Sequence, residues 1–359
     1  MSDRTPEPPH LRPYESILET VGWTPLVRLR RVTEGIRTPV YLKVESFNPG
    51  GSVKDRIGTA ILDAAEREGL LAPGGTVVEG TSGNTGVGLA LAAAVRGYRC
   101  IFTIPDKMSD EKVKLLRSFG AEVIVTPTVD PGHPDYYGTV ARRIAEETPG
   151  AYLADQFYNP ANPEAHYRTT GPEIWRQTDG RVTHFVASPG TGGTISGAAR
   201  YLKERKPSVR VVAGDPEGSI FAEYFRTGVE SEGEPYKVEG IGNDKLPGTL
   251  HFEWIDEFRT VGDLESFRLA RRITREEGLL VGGSTGLIVR VALDVAAEAD
   301  DPEGCVVAIL CDTGERYLSK AFDDDWLRAN GFGAILDDEA REREARAARE
   351  RAGAEESGG

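Results

Sequence analysis

The sequence predicts an α/β protein of two lobes, with mostly parallel sheets flanked by helices and a cleft between the lobes. Three observations carry this reading. Short apolar runs alternate with helical patterns of about 10–15 residues, the rhythm of βαβ units. The runs are apolar throughout, as in strands covered on both faces. A Pro/Asn-rich stretch, Asn159-Pro160-Ala161-Asn162-Pro163, separates two such series.

The elements follow in order. Residues 1–12 read as a flexible tail, because Pro6, Pro8 and Pro9 block a helix. A first strand is predicted over 40–44, then a helix over 53–68 stopped by Gly69. A strand at 76–79 leads to a helix at 85–96 ending at Gly97. A strand at 100–104, a helix at 109–119 and a strand at 123–125 complete the first series. The second series has strands at 184–187, 209–213 and 306–310, and a helix at 194–205. Ligands of such sheets bind beyond the carboxyl ends of the strands. From Asp337 onward the composition falls to Asp, Glu, Arg, Ala and Gly. Glu339/Arg343 and Glu342/Arg346 stand at i,i+4, so residues 337–359 read as a charged, solvated helix.

Composition narrows the function. The net charge of −14 argues against nucleic acid as a partner. The longest apolar run, Val87 to Val95, is far too short to span a bilayer, so no membrane role is expected. The N-terminus is polar and Pro-rich, with no secretory pattern. Cys100, Cys305 and Cys311 form no CxxC pair, so neither a disulfide scaffold nor a cysteine-rich metal site is expected. A reducing cytoplasm is the simplest setting.

Three glycine-rich loops stand where strands hand over to helices. Gly190-Thr191-Gly192-Gly193-Thr194 follows the strand at 184–187. Small residues there let backbone N–H groups approach a phosphate, and a helix N-terminus adds partial positive charge. No Lys follows the last Gly, so this is not a Walker loop. A ligand-free βα turn is the plain alternative. Nicotinamide binding is another, weakened because Gly190-x-Gly192 is followed by Gly197, too far on for GxGxxG. The second loop, Thr81-Ser82-Gly83-Asn84-Thr85-Gly86, suits a carboxylate or phenolate, or simple capping by Ser82 or Thr85. In the third, Gly282-Gly283-Ser284-Thr285-Gly286, Ser284 reads either as a cap or as a neutral hydroxyl facing a ligand.

Lys54 occupies an unusual place. Ser52 and Asp55 have the spacing of a capping box, which puts Lys54 in the first helical turn. The helix dipole opposes a cation there by about 0.3–1 kcal/mol on an exposed surface. In a cleft, desolvation adds to this and favours the neutral amine that a Schiff base needs. A surface lysine falling there by chance is the plain alternative. One candidate amine, one phosphate cup and a second anion loop together suggest a cofactor with both an aldehyde and a phosphate, namely pyridoxal 5′-phosphate.

At this point the chain resembles a known family, the fold-type II pyridoxal-phosphate enzymes of the β family, which includes cysteine synthase and cystathionine β-synthase. The likeness runs from about Tyr14 to Leu336 through motifs in order. These are Gly22-Trp23-Thr24-Pro25-Leu26-Val27, Asn48-Pro49-Gly50-Gly51-Ser52-Val53-Lys54-Asp55-Arg56, the 81–86 loop, Thr169-Thr170-Gly171-Pro172-Glu173-Ile174-Trp175, the 190–194 loop and Gly282-Gly283-Ser284. The resemblance implies that Lys54 is the Schiff-base and catalytic lysine. It implies that Gly190, Thr191, Gly192, Gly193 and Thr194 hold the phosphate. Asn84 would meet the cofactor's 3′-oxygen and Ser284 its pyridine nitrogen. Thr81, Ser82, Gly83 and Thr85, with Gln156, would hold the substrate carboxylate. Residues 13–47 and 159–336 would form the larger lobe and residues 48–158 the smaller, part of which closes over the substrate.

The resemblance further implies a homodimer acting on small amino acids and a thiol. The leading expectation is β-replacement on L-serine by L-homocysteine, giving L-cystathionine through an α-aminoacrylate. Lys107-Met108-Ser109-Asp110-Glu111-Lys112, Ala165-His166-Tyr167, Asp215-Pro216-Glu217-Gly218-Ser219, Glu239-Gly240-Ile241-Gly242 and Asp244 look like that branch. Gln156-Phe157-x-Asn159-Pro160-Ala161-Asn162 looks instead like cysteine synthase, using O-acetyl-L-serine and sulfide. A serine or threonine dehydratase and a non-catalytic homologue are further readings. No Cys stands near His10, so no haem site is expected, and residues 337–359 suggest no tandem regulatory module.

Overall fold

The computed structural model describes residues 13–344 apart from residues 82, 109 and 131. The tail expected at 1–12 lies outside the described residues. The chain runs β1 (Leu26–Arg28), β2 (Val40–Val44), α1 (Lys54–Arg67), β3 (Thr76–Gly80), α2 (Asn84–Arg96), β4 (Arg99–Pro105), α3 (Asp110–Ser118), β5 (Glu122–Thr126), α4 (Tyr137–Glu147) and β6 (Ala151–Leu153). It continues through α5 (Ala161–Arg168), α6 (Thr170–Gln177), β7 (His184–Ala187), α7 (Gly193–Arg205), β8 (Arg210–Pro216), α8 (Phe221–Thr227), β9 (Glu257–Val261), α9 (Asp263–Glu277), α10 (Gly283–Ala299), β10 (Val306–Leu310) and α11 (Asp324–Ala329).

The strands form two sheets. The larger has the order β1-β2-β10-β7-β8-β9 and the smaller β5-β4-β3-β6. All neighbours are parallel except β1, which pairs antiparallel with β2. The chain thus starts in the larger sheet, leaves to build the smaller one, and returns. Apolar side chains on both faces explain the parallel pairing. Val40, Leu42, Val306 and Ala308 pack on α10, while Ile57, Ile61 and Leu62 of α1 join Phe102, Ile104 and Leu116. Each fully buried Val, Leu, Ile or Phe among these contributes about 1.5–3 kcal/mol. Among the described residues no helix is long and apolar enough to cross a membrane.

Two local expectations are corrected. Ser52 Oγ does accept from Lys54 N at 3.2 Å, but the Asp55 carboxylate takes Gly50 N at 2.5 Å rather than closing a capping box. The charged stretch after Asp337 continues a helix over 333–344 that is not wholly solvated. Glu339 is only 8% exposed, because Arg271 of α9 binds its carboxylate at 2.7 Å. Residues 345–359 lie outside the described residues.

Candidate active site

The helix pair α1–α2 sets the position of Lys54. Gly58 and Gly88 let the two backbones touch, since a Cβ on Gly88 would stand 2.5 Å from the Lys54 carbonyl oxygen. The segment before Lys54 is tied to the end of β10, where Val53 N donates to Cys311 O at 2.9 Å. Beneath α1 lies a buried ionic cluster. Arg56 donates to Glu45 at 2.6 Å and to Glu173 at 2.7 Å, and Lys43 Nζ reaches Glu173 at 2.6 Å. Burial opposes ionisation of Glu45, but the Arg56 guanidinium wins and holds its carboxyl down to about 2. Two cations and two carboxylates therefore balance inside the protein, and they pin the start of α1 to β2 and α6.

One cavity collects Lys54, Asn84, Gly190, Thr191, Gly192, Thr194 and Ser284. Burial lowers the Lys54 pKa below the usual lysine value, against the opposing pull of Cys311 and Asp312. Among the described residues its Nζ has no hydrogen-bond partner. The 190–194 turn joins β7 to α7 and needs its glycines. A Cβ on Gly190 would meet Gly240 O at 2.5 Å, and Gly192 has φ +87°. Gly193, the first residue of α7, lies against the Asn162 side chain instead of lining the cavity. Ser284 is 3% exposed in the first turn of α10 and lines the cavity beside Cys311.

The residues of the 81–86 loop sit differently. Thr81 Oγ1 accepts from Gly83 N at 3.0 Å and Gly86 N at 3.2 Å, closing the start of α2. Gly83 adopts φ +136°. Thr85 Oγ1 donates to Gln156 Oε1 at 2.5 Å, and Gln156 Nε2 donates to Glu79 Oε1 at 2.9 Å. Thr81, Gly83, Thr85 and Gln156 are buried together beside Asn84 but do not line the cavity that holds Lys54. Ser82 lies outside the described residues.

Several cavity residues were not assigned a role from sequence. Ser188 Oγ is buried with no partner among the described residues. Asp312 accepts from Asn84 Nδ2 at 2.8 Å and from the Tyr317 hydroxyl at 2.7 Å, and Arg316 binds the Asn84 carbonyl. Glu239 pairs with Lys112 and Lys320. Burial pushes the Cys311 thiol up to about 12, which makes it an unreactive wall. Asp312 follows the carboxyl end of β10, so the strand-end rule was a signal for it.

The family described as "Pyridoxal-phosphate dependent enzyme" matches residues 17–312. The chain belongs to this family. Among curated relatives, cystathionine beta-synthase of Oryctolagus cuniculus is 47% identical over 319 residues, 88% of this chain and 58% of that protein. The chain thus spans little more than half the length of that relative. A solved cysteine synthase from Entamoeba histolytica is 38% identical with a TM-score of 0.80, covering 87% of this chain and 91% of its own. An O-acetylserine dependent cystathionine beta-synthase from Helicobacter pylori is also 38% identical, TM-score 0.78, covering 86% and 98%.

The family's cofactor is pyridoxal 5′-phosphate. The residues present fit it. A turn too tight for side chains, two threonine hydroxyls, the Ser188 hydroxyl, without a partner among the described residues, and the N-terminus of α7 make an anion cradle. The same cavity offers an amine whose pKa burial lowers for an aldehyde and a neutral hydroxyl at Ser284 for a ring nitrogen.

Proposed function

We propose that this chain carries out β-replacement on L-serine, joining it to L-homocysteine to give L-cystathionine. The observation that carries the reading is the single cavity shared by Lys54, the 190–194 turn and Ser284. Relatives named cystathionine beta-synthase, 44–47% identical over most of this chain, support the choice of substrates. The second reading is cysteine synthesis from O-acetyl-L-serine and sulfide. It is favoured by the Gln156-Phe157-x-Asn159 segment and by the likeness to the solved cysteine synthase.

When bound, pyridoxal phosphate supplies an aldehyde that joins the substrate amine and a ring that draws electrons from the α-carbon. In this reading Lys54 is the point of attachment. Its amine, whose pKa burial lowers, takes the α-proton of the substrate and later returns a proton to the product. Backbone donors of residues 190–194 and the dipole of α7 hold the phosphate. Asn84 meets the 3′-oxygen. Ser284 meets the ring nitrogen with a hydroxyl that carries no charge, so no full positive charge is held there. Thr81, Ser82, Gly83 and Thr85, with Gln156, orient the substrate carboxylate. The reading also takes the protein as a cytoplasmic homodimer in which a smaller lobe, residues 48–158, closes on a larger one, residues 13–47 and 159–336.

Turnover of the purified protein decides between the two. Faster reaction of L-serine with L-homocysteine than of O-acetyl-L-serine with sulfide supports the first reading. The reverse order moves the assignment to the second, and no reaction with either pair would sink β-replacement.

A further inference from the structure

The two threonines of the 190–194 turn are each touched from behind by the same helix. Asn162 Nδ2 stands 2.9 Å from Thr191 Oγ1, and His166 Nε2 stands 3.2 Å from Thr194 Oγ1. Asn162 and His166 are one turn apart on α5, so both face α7. Gly197 allows the approach, since a Cβ there would collide with the Pro163 carbonyl and the backbone N of Tyr167.

The direction of each hydrogen bond can be worked out. Asn162 Nδ2 also reaches the Gln156 backbone carbonyl at 2.8 Å. A carbonyl only accepts, so this atom is the amide nitrogen, and it donates to Thr191 as well. His166 is fully buried and neutral, because burial and the charge of Arg56 press its pKa down to about 3. A neutral ring carries one N–H. Its Nδ1 lies 2.9 Å from Thr170 Oγ1, which is also fully buried and has no other partner among the described residues. With the proton on Nδ1, the Thr170 hydroxyl proton would have no acceptor, a costly buried loss. With the proton on Nε2, every group is satisfied. Thr170 donates to Nδ1, and Nε2–H donates to Thr194. The Thr194 hydroxyl proton is then free to point into the cavity, as is that of Thr191.

We propose that Asn162 and His166 are positioning residues, a donor pair on α5 that turns both threonine hydroxyl protons toward a bound phosphate. The proposal rests on the reading of 190–194 as the phosphate turn, and the test separates the two. ¹⁵N correlation spectra of histidine-labelled holoenzyme should show His166 as the Nε2–H tautomer; an Nδ1–H ring would overturn the relay. Thr170→Val removes the donor to Nδ1. It should weaken pyridoxal phosphate binding to the stripped full-length protein about fivefold to tenfold, and leave binding of phosphate-free pyridoxal unchanged. Thr170→Ser should restore the wild-type value. Equal losses for both ligands, or no loss, would reduce Thr170 and His166 to packing. Thr194→Val tests the underlying reading, because unchanged pyridoxal phosphate affinity there would remove the phosphate from this turn altogether.

Discussion

Glu79 is the carboxyl whose removal is expected to change stability most visibly with pH. It closes β3 at 2% exposure, with Oε1 accepting from Gln156 and Oε2 without a partner among the described residues. Burial raises its pKa from 4.5 to about 8. Between those values the folded protein holds a proton that the unfolded chain has released. Stability therefore falls as pH rises, by at most about 1.4 kcal/mol per pH unit. The contribution is fully present below pH 4.5 and lost as pH passes 8. Glu79→Gln keeps the acceptor for Gln156 and removes the titration. The variant should match wild type within about 1 kcal/mol at pH 5 and exceed it by roughly 4 kcal/mol at pH 9. Asp55 and Asp215, raised to about 7 and about 6, also titrate in this window, but they do so in both proteins. Urea unfolding at pH steps from 5 to 9 gives the difference directly. Parallel curves for wild type and variant would refute the claim that Glu79 is folded in its protonated form.

Other perturbations follow from the packing and the cavity. Gly88→Ala drives a Cβ into the Lys54 backbone, whereas Gly86→Ala meets only the side-chain ends of Leu116 and Thr81 at 2.9 Å. The first should cost about 1–3 kcal/mol in urea unfolding despite the better helix propensity of alanine, and more than the second; equal stability would contradict the close contact of α1 with α2. Glu173→Ala leaves Lys43 and Arg56 buried with one carboxylate and should cost about 3–5 kcal/mol, while Lys43→Met with Glu173→Leu should recover most of the loss. Ser284→Asp puts a carboxylate where the ring nitrogen is proposed to lie; the visible absorption of the holoenzyme should shift and β-replacement should slow. Unchanged spectra and rates would leave Ser284 as a helix residue alone.

Legibility from sequence followed locality. The strands Val40–Val44, His184–Ala187 and Val306–Leu310 are readable to the residue because both faces are covered and the runs are mostly apolar. The edge strand Glu257–Val261 carries Glu257 and Arg259 in alternation and gave no such run. Ala151–Leu153 is three half-buried residues, too short to signal itself. The 190–194 turn and the start of α1 were readable because each is one contiguous motif. Asp312, Glu239 and Ser188 were not, since only the sheet order brings β10 and β7 side by side under the cavity. Lys43 sits fully buried inside an apolar run for the same reason, its partner Glu173 lying on α6. The charged neighbours of Glu339 in sequence point to a solvated residue, while the arginine that buries it comes from α9.

The attachment of the cofactor can be read chemically. The purified, coloured protein is reduced with borohydride, digested, and its peptides mapped by mass spectrometry. A pyridoxyl mass on the peptide carrying Lys54, and its disappearance in Lys54→Ala, is the expected result. The same mass on a different lysine, or on none, would contradict the central claim.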